Sequence, residues 1–133
     1  MSGGISAIDR DLAVLSSSSA SERERLESLK YLGQWVGDIH QPLHVSFEDD
    51  RGGNHVGVSG TLCRCNLHAV WDSCIIEQGL PGDPFSVARD LQVTDEERAT
   101  WRSSTPTDWA NESFAISTSL GVQYCVGTDA GCW

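Results

Sequence analysis

Apolar positions recur at helical intervals along most of the chain. Ile8 to Leu15 predicts a short first helix and the run "SSSSAS" a linker, so residues 1–21 read as a short N-terminal helix with a Ser-rich connection. Ser21 and Glu24 stand at capping-box spacing, and Leu26, Leu29, Leu32 and Val36 follow on one helical face. Together they predict an amphipathic helix over 22–39. Pro42 ends or kinks it, because proline lacks an amide donor and disfavours the helical conformation of Gln41. The stretch "VSFEDDRGGNHVGVSG" predicts a small β-hairpin, with arms at Val45–Phe47 and His55–Val58 around the turn "DDRGGN". From Leu67 the period is helical again: Leu67, Val70, Trp71, Cys74 and Ile75 share a broad face, and Gly79 is a natural stop. Asp83-Pro84, Thr94 with Glu97, and Thr105-Pro106 each open a further short helix, the last running through Trp109 and Phe114 to Gly121. Helical spacing assigns Trp35, Trp71, Trp101 and Trp109 mostly to the core. The expected fold is mostly α, a single domain over 1–133 with one small hairpin.

Length is consistent with that: 133 residues fit one domain able to bury a core without staples. Charge changes the functional picture. A formal net charge of −10 argues against a nucleic-acid binder that grips phosphates with lysine and arginine. It leaves open one that holds phosphate through metal cations, since carboxylates recruit those cations. The five cysteines, Cys63, Cys65, Cys74, Cys125 and Cys132, contain no C-x-x-C pair, which disfavours a cysteine zinc knuckle. Cys125 with Cys132, and Cys63 or Cys65 with Cys74, are possible pairings; an odd count leaves at least one thiol unpaired within the chain. Such usage suits an exported, disulfide-permissive setting. No apolar run approaches the roughly 18 residues of a membrane span. The opening "MSGGISAIDRD" has no apolar h-region, so no signal peptide is expected in this chain. Either the protein is cytosolic, or the sequence begins downstream of one.

Two segments carry candidate chemistry. In "NLHAVWD", His68 and Asp72 are four apart on a predicted helix, a spacing that puts their Cβ atoms about 6 Å apart on one face. Imidazole nitrogen and carboxylate oxygen suit zinc, although a solvated pair on a helix face has the same spacing. "GDIHQPLH" adds Asp38, His40 and His44. His44 lies past the proline, where the redirected chain can face a neighbouring helix; His40 points elsewhere and reads as a supporting or surface residue. His44, His68 and Asp72 make a two-histidine, one-carboxylate set with an open coordination position. His55 reads as structural, and Arg51 and Arg64 as solvated surface charge near the proposed rim.

In this order and spacing, "GDIHQPLH", "DRGGN" and "NLHAVWD" resemble the core of the S1/P1 nuclease family, the zinc-dependent single-strand-specific nucleases of fungi, plants and bacteria. The fold is shared with bacterial zinc phospholipases C. The resemblance is strongest over 26–77 and continues loosely to "TDWANES" at 107–113. It implies a phospholipase C/P1 nuclease-like helical fold with three zinc ions at the bottom of a cleft. Carried over by motif, His44, His68 and Asp72 would ligate one zinc, Asp38 would be the catalytic acid bridging the other two, and Asn54 would sit at the rim where a nucleobase is held. The implied substrates are single-stranded DNA or RNA and nucleotides: phosphodiesters cleaved to 5′-phosphorylated products, and 3′-phosphates removed. Secretion or a periplasmic location is likewise implied by the resemblance. Two departures stand out. Gln34 occupies the place of a histidine ligand, and nothing before Asp38 offers the ligands that the family takes from its N-terminal half. The chain resembles a C-terminal half, with a missing N-terminal half or a second chain completing the cluster. A weakened or truncated nuclease is the leading expectation, a non-catalytic helical zinc-binding domain the alternative, and zinc phospholipase C chemistry the last.

Overall fold

In the computed structural model, the structure describes residues 2–58, 66–80, 82–122 and 124. The chain divides into two compact units, Met1–Ser46 with Pro106–Trp133, and Phe47–Thr105.

The first unit packs α1 (Ser2–Ser16) and α2 (Glu22–Ile39) against α7 (Pro106–Ser117) and a 3₁₀ turn, Pro42–Val45. Its core is Ile8, Ile39, Val45 and Ala110, with Ile5, Leu32, Trp35, Val36, Trp109 and Phe114 packed around them. The inward face of α2 is therefore Leu32, Trp35, Val36 and Ile39, at i, i+3, i+4 and i+7. Leu26 and Leu29, expected on that face, are 53% and 58% exposed: in the early turns the buried position of α2 is Ser28, so the packed stripe is turned away from both leucines. α1 starts earlier than its apolar pattern suggests, through Gly3 and Gly4, since Ile5 already contacts the core. Asp11, one turn beyond Ile8, is buried and accepts a hydrogen bond from the Trp35 indole Nε1 at 3.2 Å, which ties α1 to α2 by a polar contact inside the apolar seam. On α7 the buried residues are Ala110, Ser113 and Ser117, small side chains that admit close approach. α7 ends at Ser117, short of the expected Gly121.

Arg25 organises the α1–α2 connection. Its guanidinium donates to the carbonyls of Leu15 (2.9 Å), Ser17 and Ala20 (3.3 Å), satisfying acceptors that the end of α1 would otherwise leave orphaned. Ser21 then caps α2 in a reciprocal capping box with Glu24.

The second unit begins with consecutive turns over 48–55 and continues as α3 (Leu67–Ala69), a π-helical turn (Val70–Cys74) and α4 (Ile75–Gly79). Two short helices follow: α5 (Pro84–Asp90), capped by Asp83, and α6 (Asp95–Ser103), opened by the Thr94–Glu97 capping box. The expected hairpin does not form among the described residues. Val45 belongs to the 3₁₀ turn, and Arg51, Gly52 and Gly53 all adopt positive φ (54°, 61° and 81°), so the chain curls where a hairpin arm would have to extend. A single antiparallel bridge, Gly57 to Asn66, is the described remnant of strand pairing. Trp35 and Trp109 pack on the core as expected, whereas Trp101 is 54% exposed on α6. Cys63, Cys65, Cys125, Cys132 and Arg64 lie outside the described residues. Among the described residues, no helix is long and apolar enough to cross a membrane.

Two predictions follow from this packing. Ile8 has no exposed surface, so Ile8→Ala should destabilise the protein by roughly 2–5 kcal/mol in denaturant unfolding, the cost of a buried cavity. The second concerns acid. Glu24 is held below its ordinary value of 4.5 by the Ser21 hydroxyl and then the Ser21 amide, and Glu97 by the Thr94 amide and then its hydroxyl. Depressed carboxylates contribute stability that is present above the unfolded value and lost as pH falls through the lower folded one. Thermal melts followed by circular dichroism should therefore show an acid loss of stability below 4.5 that is shallower in an E24Q/E97Q double variant.

Candidate metal centre

Among the described residues, each unit holds a histidine–carboxylate pair. In the first, α2 stops at Ile39 and the Gln41 side chain accepts from the Leu43 amide, starting the 3₁₀ turn at Pro42. That turn buries Pro42, Leu43 and Val45 and leaves His44 off the packed face. His44 is thereby returned to the last turn of α2. Its Nδ1 lies 2.8 Å from Asp38 Oδ1 and 3.1 Å from the Asp38 carbonyl oxygen. A carbonyl only accepts, so Nδ1 donates to it, and in the neutral ring the lone pair is then on Nε2. Metal-binding histidines are held in this way, with one nitrogen donating to a carboxylate or carbonyl and the other facing the metal.

In the second unit the same logic is built from backbone. Asp50 is buried, and its Oδ1 accepts from the Gly53 amide at 3.0 Å. The Gly52 amide donates to Phe47 O at 2.9 Å, and the His55 amide to Asp50 O at 3.1 Å. Closed by these bonds, the left-handed run of Arg51, Gly52 and Gly53 presents the Gly52 carbonyl to His68, whose Nδ1–H donates to it at 2.8 Å. The His68 amide also meets Gly53 O at 3.4 Å. Nε2, which holds the lone pair in the neutral ring, stands 3.4 Å from Asp72 Oδ2. With the ring protonated the two form an ion pair; with the ring neutral they are two electron-pair donors that a cation can bridge. Ligands about 2.0–2.2 Å from one tetrahedral zinc stand roughly 3.3–3.6 Å apart, so the pair matches the spacing of two zinc donors.

Asp72 belongs to the π turn, where the Ile75 amide reaches back five residues to Val70 O. Single π turns inside helices recur at functional sites. The helix itself is opened by Asn66, whose side chain accepts from the Ala69 amide at 2.8 Å and whose Nδ2 lies 3.4 Å from Asn54 Oδ1. Asn54 in turn donates from Nδ2 to Arg51 O at 2.9 Å, so this exposed side chain is fastened to its own turn.

The remaining candidates fall elsewhere. His40 is exposed; its Nδ1 lies 2.7 Å from Val36 O and its ring 5.8 Å from that of Trp109. His55 and Arg51 are exposed, as is Gln34 on α2. The groups that sequence patterns did not single out are Asp50, the Gly52 carbonyl and Asn66. The paired glycines of "DRGGN" were the available signal, since two adjacent residues free of Cβ permit a left-handed curl as readily as a hairpin turn.

With the local geometry in place, likeness to known proteins decides the lineage. A family described as S1/P1 Nuclease matches residues 2–129. The chain belongs to the S1/P1 nuclease family. Endonuclease 2 of Arabidopsis thaliana is 37% identical over 95 residues, covering 71% of this chain and 31% of that protein. Endonuclease 4 of the same plant is 52% identical over 54 residues, 41% of this chain and 18% of that protein. Nuclease S1 of Aspergillus oryzae is 38% identical over 71 residues, 53% of this chain and 24% of the fungal protein. The chain thus spans about a third or less of the length of the relatives it matches.

Proposed function

We propose that this chain carries part of the centre of a zinc-dependent phosphodiester hydrolase, in which His44 and His68, through Nε2, and Asp72 together hold one zinc ion. The observation that carries the reading is the His68–Asp72 pair: an imidazole Nε2 held 3.4 Å from a carboxylate oxygen, with the opposite nitrogen already donating to Gly52. Family membership and relatives named as endonucleases and nucleases support the substrate class. Zinc bound there supplies Lewis-acid stabilisation of charge developing on a phosphodiester and a stronger nucleophile from water. The chain's own residues do the rest. Asp38 orients His44 and is the proposed bridge to further zinc ions, Gly52 holds His68 in register, and Asn54 stands as the proposed nucleobase contact. A positive centre of this kind also reconciles a net charge of −10 with a polyanionic substrate.

The proposed activity is cleavage of single-stranded DNA or RNA to 5′-phosphorylated products, with 3′-nucleotidase activity. The other zinc ligands would come from polypeptide beyond these residues, a reading supported by the limited share of the relatives that the chain spans. Export to an oxidising compartment is proposed as well, supported by the disulfide-bonded state of Cys74. One observation favours a second reading, a zinc-binding domain without catalysis: Gln34, a neutral amide and a poor zinc donor, stands one turn before Asp38.

Metal analysis after dialysis should recover about one tightly held zinc per chain, and His68→Ala or Asp72→Ala should abolish its retention. Three tightly held zinc ions would contradict the proposed ligand set. Incubation with single-stranded DNA should give weak, chelator-sensitive cleavage leaving 5′-phosphates. Chelation that lowers the melting temperature in a protein with no detectable cleavage would select the non-catalytic reading.

A further inference from the structure

Asp50 is 5% exposed, yet one of its carboxylate oxygens, Oδ2, has no hydrogen-bond partner among the described residues. Burying a carboxylate with half its acceptor capacity unused costs stability, so the position calls for an explanation other than packing. The other oxygen supplies one. Oδ1 receives the Gly53 amide, and that bond closes the curl in which Arg51, Gly52 and Gly53 all take positive φ. Arg51 is a non-glycine residue at φ 54°, a conformation that the surrounding bonds must hold in place. The product of the curl is a carbonyl, that of Gly52, aimed at His68 Nδ1 at 2.8 Å.

We infer that Asp50 is a positioning residue for His68: by fixing the Gly52–Gly53 curl through Oδ1, it sets which imidazole nitrogen carries the proton and which faces Asp72. The chain of contacts runs from Asp50 Oδ1 to the Gly53 amide, from the Gly52 carbonyl to His68 Nδ1–H, and from His68 Nε2 to Asp72 Oδ2. Without the curl, the Gly52 carbonyl no longer selects Nδ1 as the protonated atom, and the Nε2–H form, which cannot ligate a metal through that nitrogen, gains population. The consequence for metal binding rests on the proposed zinc reading; the consequence for the tautomer does not.

Long-range ¹⁵N–¹H NMR on histidine-labelled, zinc-free protein reads the tautomer directly. Wild type is expected to hold His68 as Nδ1–H, and Asp50→Ala to shift it toward Nε2–H and weaken zinc affinity about 10–100-fold in a chelator competition. Asp50→Asn keeps an oxygen for the Gly53 amide and removes the buried charge, so it should restore both the tautomer and the affinity. The inference is overturned by an Asp50→Ala protein with wild-type tautomer and zinc affinity within about threefold, or by Asp50→Asn behaving as badly as Asp50→Ala. Should Asp50→Ala fail to fold, wild type and Asp50→Asn still decide, because Nε2–H in either one contradicts the inference. A wild type with Nδ1–H that binds no zinc would instead overturn the metal centre and leave the positioning role standing.

Discussion

One hydrogen bond governs the chemistry of the second unit, the donation from His68 Nδ1–H to the Gly52 carbonyl. It assigns the imidazole its tautomer, and the tautomer gives the 3.4 Å approach to Asp72 its meaning. Were the proton on Nε2, the pair would be an ordinary histidine–carboxylate hydrogen bond on a helix face. With the proton on Nδ1 alone, it is two electron-pair donors at a spacing that suits a cation. The turn over 50–54 is therefore more than a connection: its left-handed residues place a backbone acceptor against the His68 ring. His44 shows the same principle in the first unit with a different partner, the carbonyl and carboxylate of Asp38.

The two pairs also divide the labour of folding differently. His44 owes its placement to a break in secondary structure, where Pro42 and the Gln41 cap replace the next turn of α2 by a 3₁₀ turn packed on the core. His68 and Asp72 owe theirs to continuity, a helical run opened by the Asn66 cap and widened at the π turn that contains Asp72. A break positions one proposed ligand and a distorted helix positions two. Acidic composition fits this design, since a cation-based site would concentrate positive charge where a phosphodiester meets it while the surface stays anionic.

Much of this was legible in the residues. The bounds of α2, both capping boxes, the Asp83-Pro84 start and the proline break all follow from local signals and appear where those signals put them. His44, His68 and Asp72 stood out because metal-ligating side chains at fixed spacing belong to a short list of patterns. What stayed hidden depends on tertiary context. Leu26 and Leu29 continue the apolar stripe of α2 in sequence, but packing decides which side of the helix is buried, and there it is Ser28. The Gly52 carbonyl has no side-chain signature at all. The stretch "DDRGGN" predicts a hairpin turn, but paired glycines serve both outcomes, and three successive positive φ values settle which one occurs.

The claim on which the functional account depends is that His44, His68 and Asp72 share one zinc through both Nε2 atoms and a carboxylate oxygen. Anomalous diffraction at the zinc edge, from crystals of this chain soaked in zinc, tests it most directly. The account predicts one strong peak with those three side chains as its protein ligands, each about 2.0–2.2 Å away. A peak bound by other residues, coordination through either Nδ1, or no peak near His68 and Asp72 would contradict it.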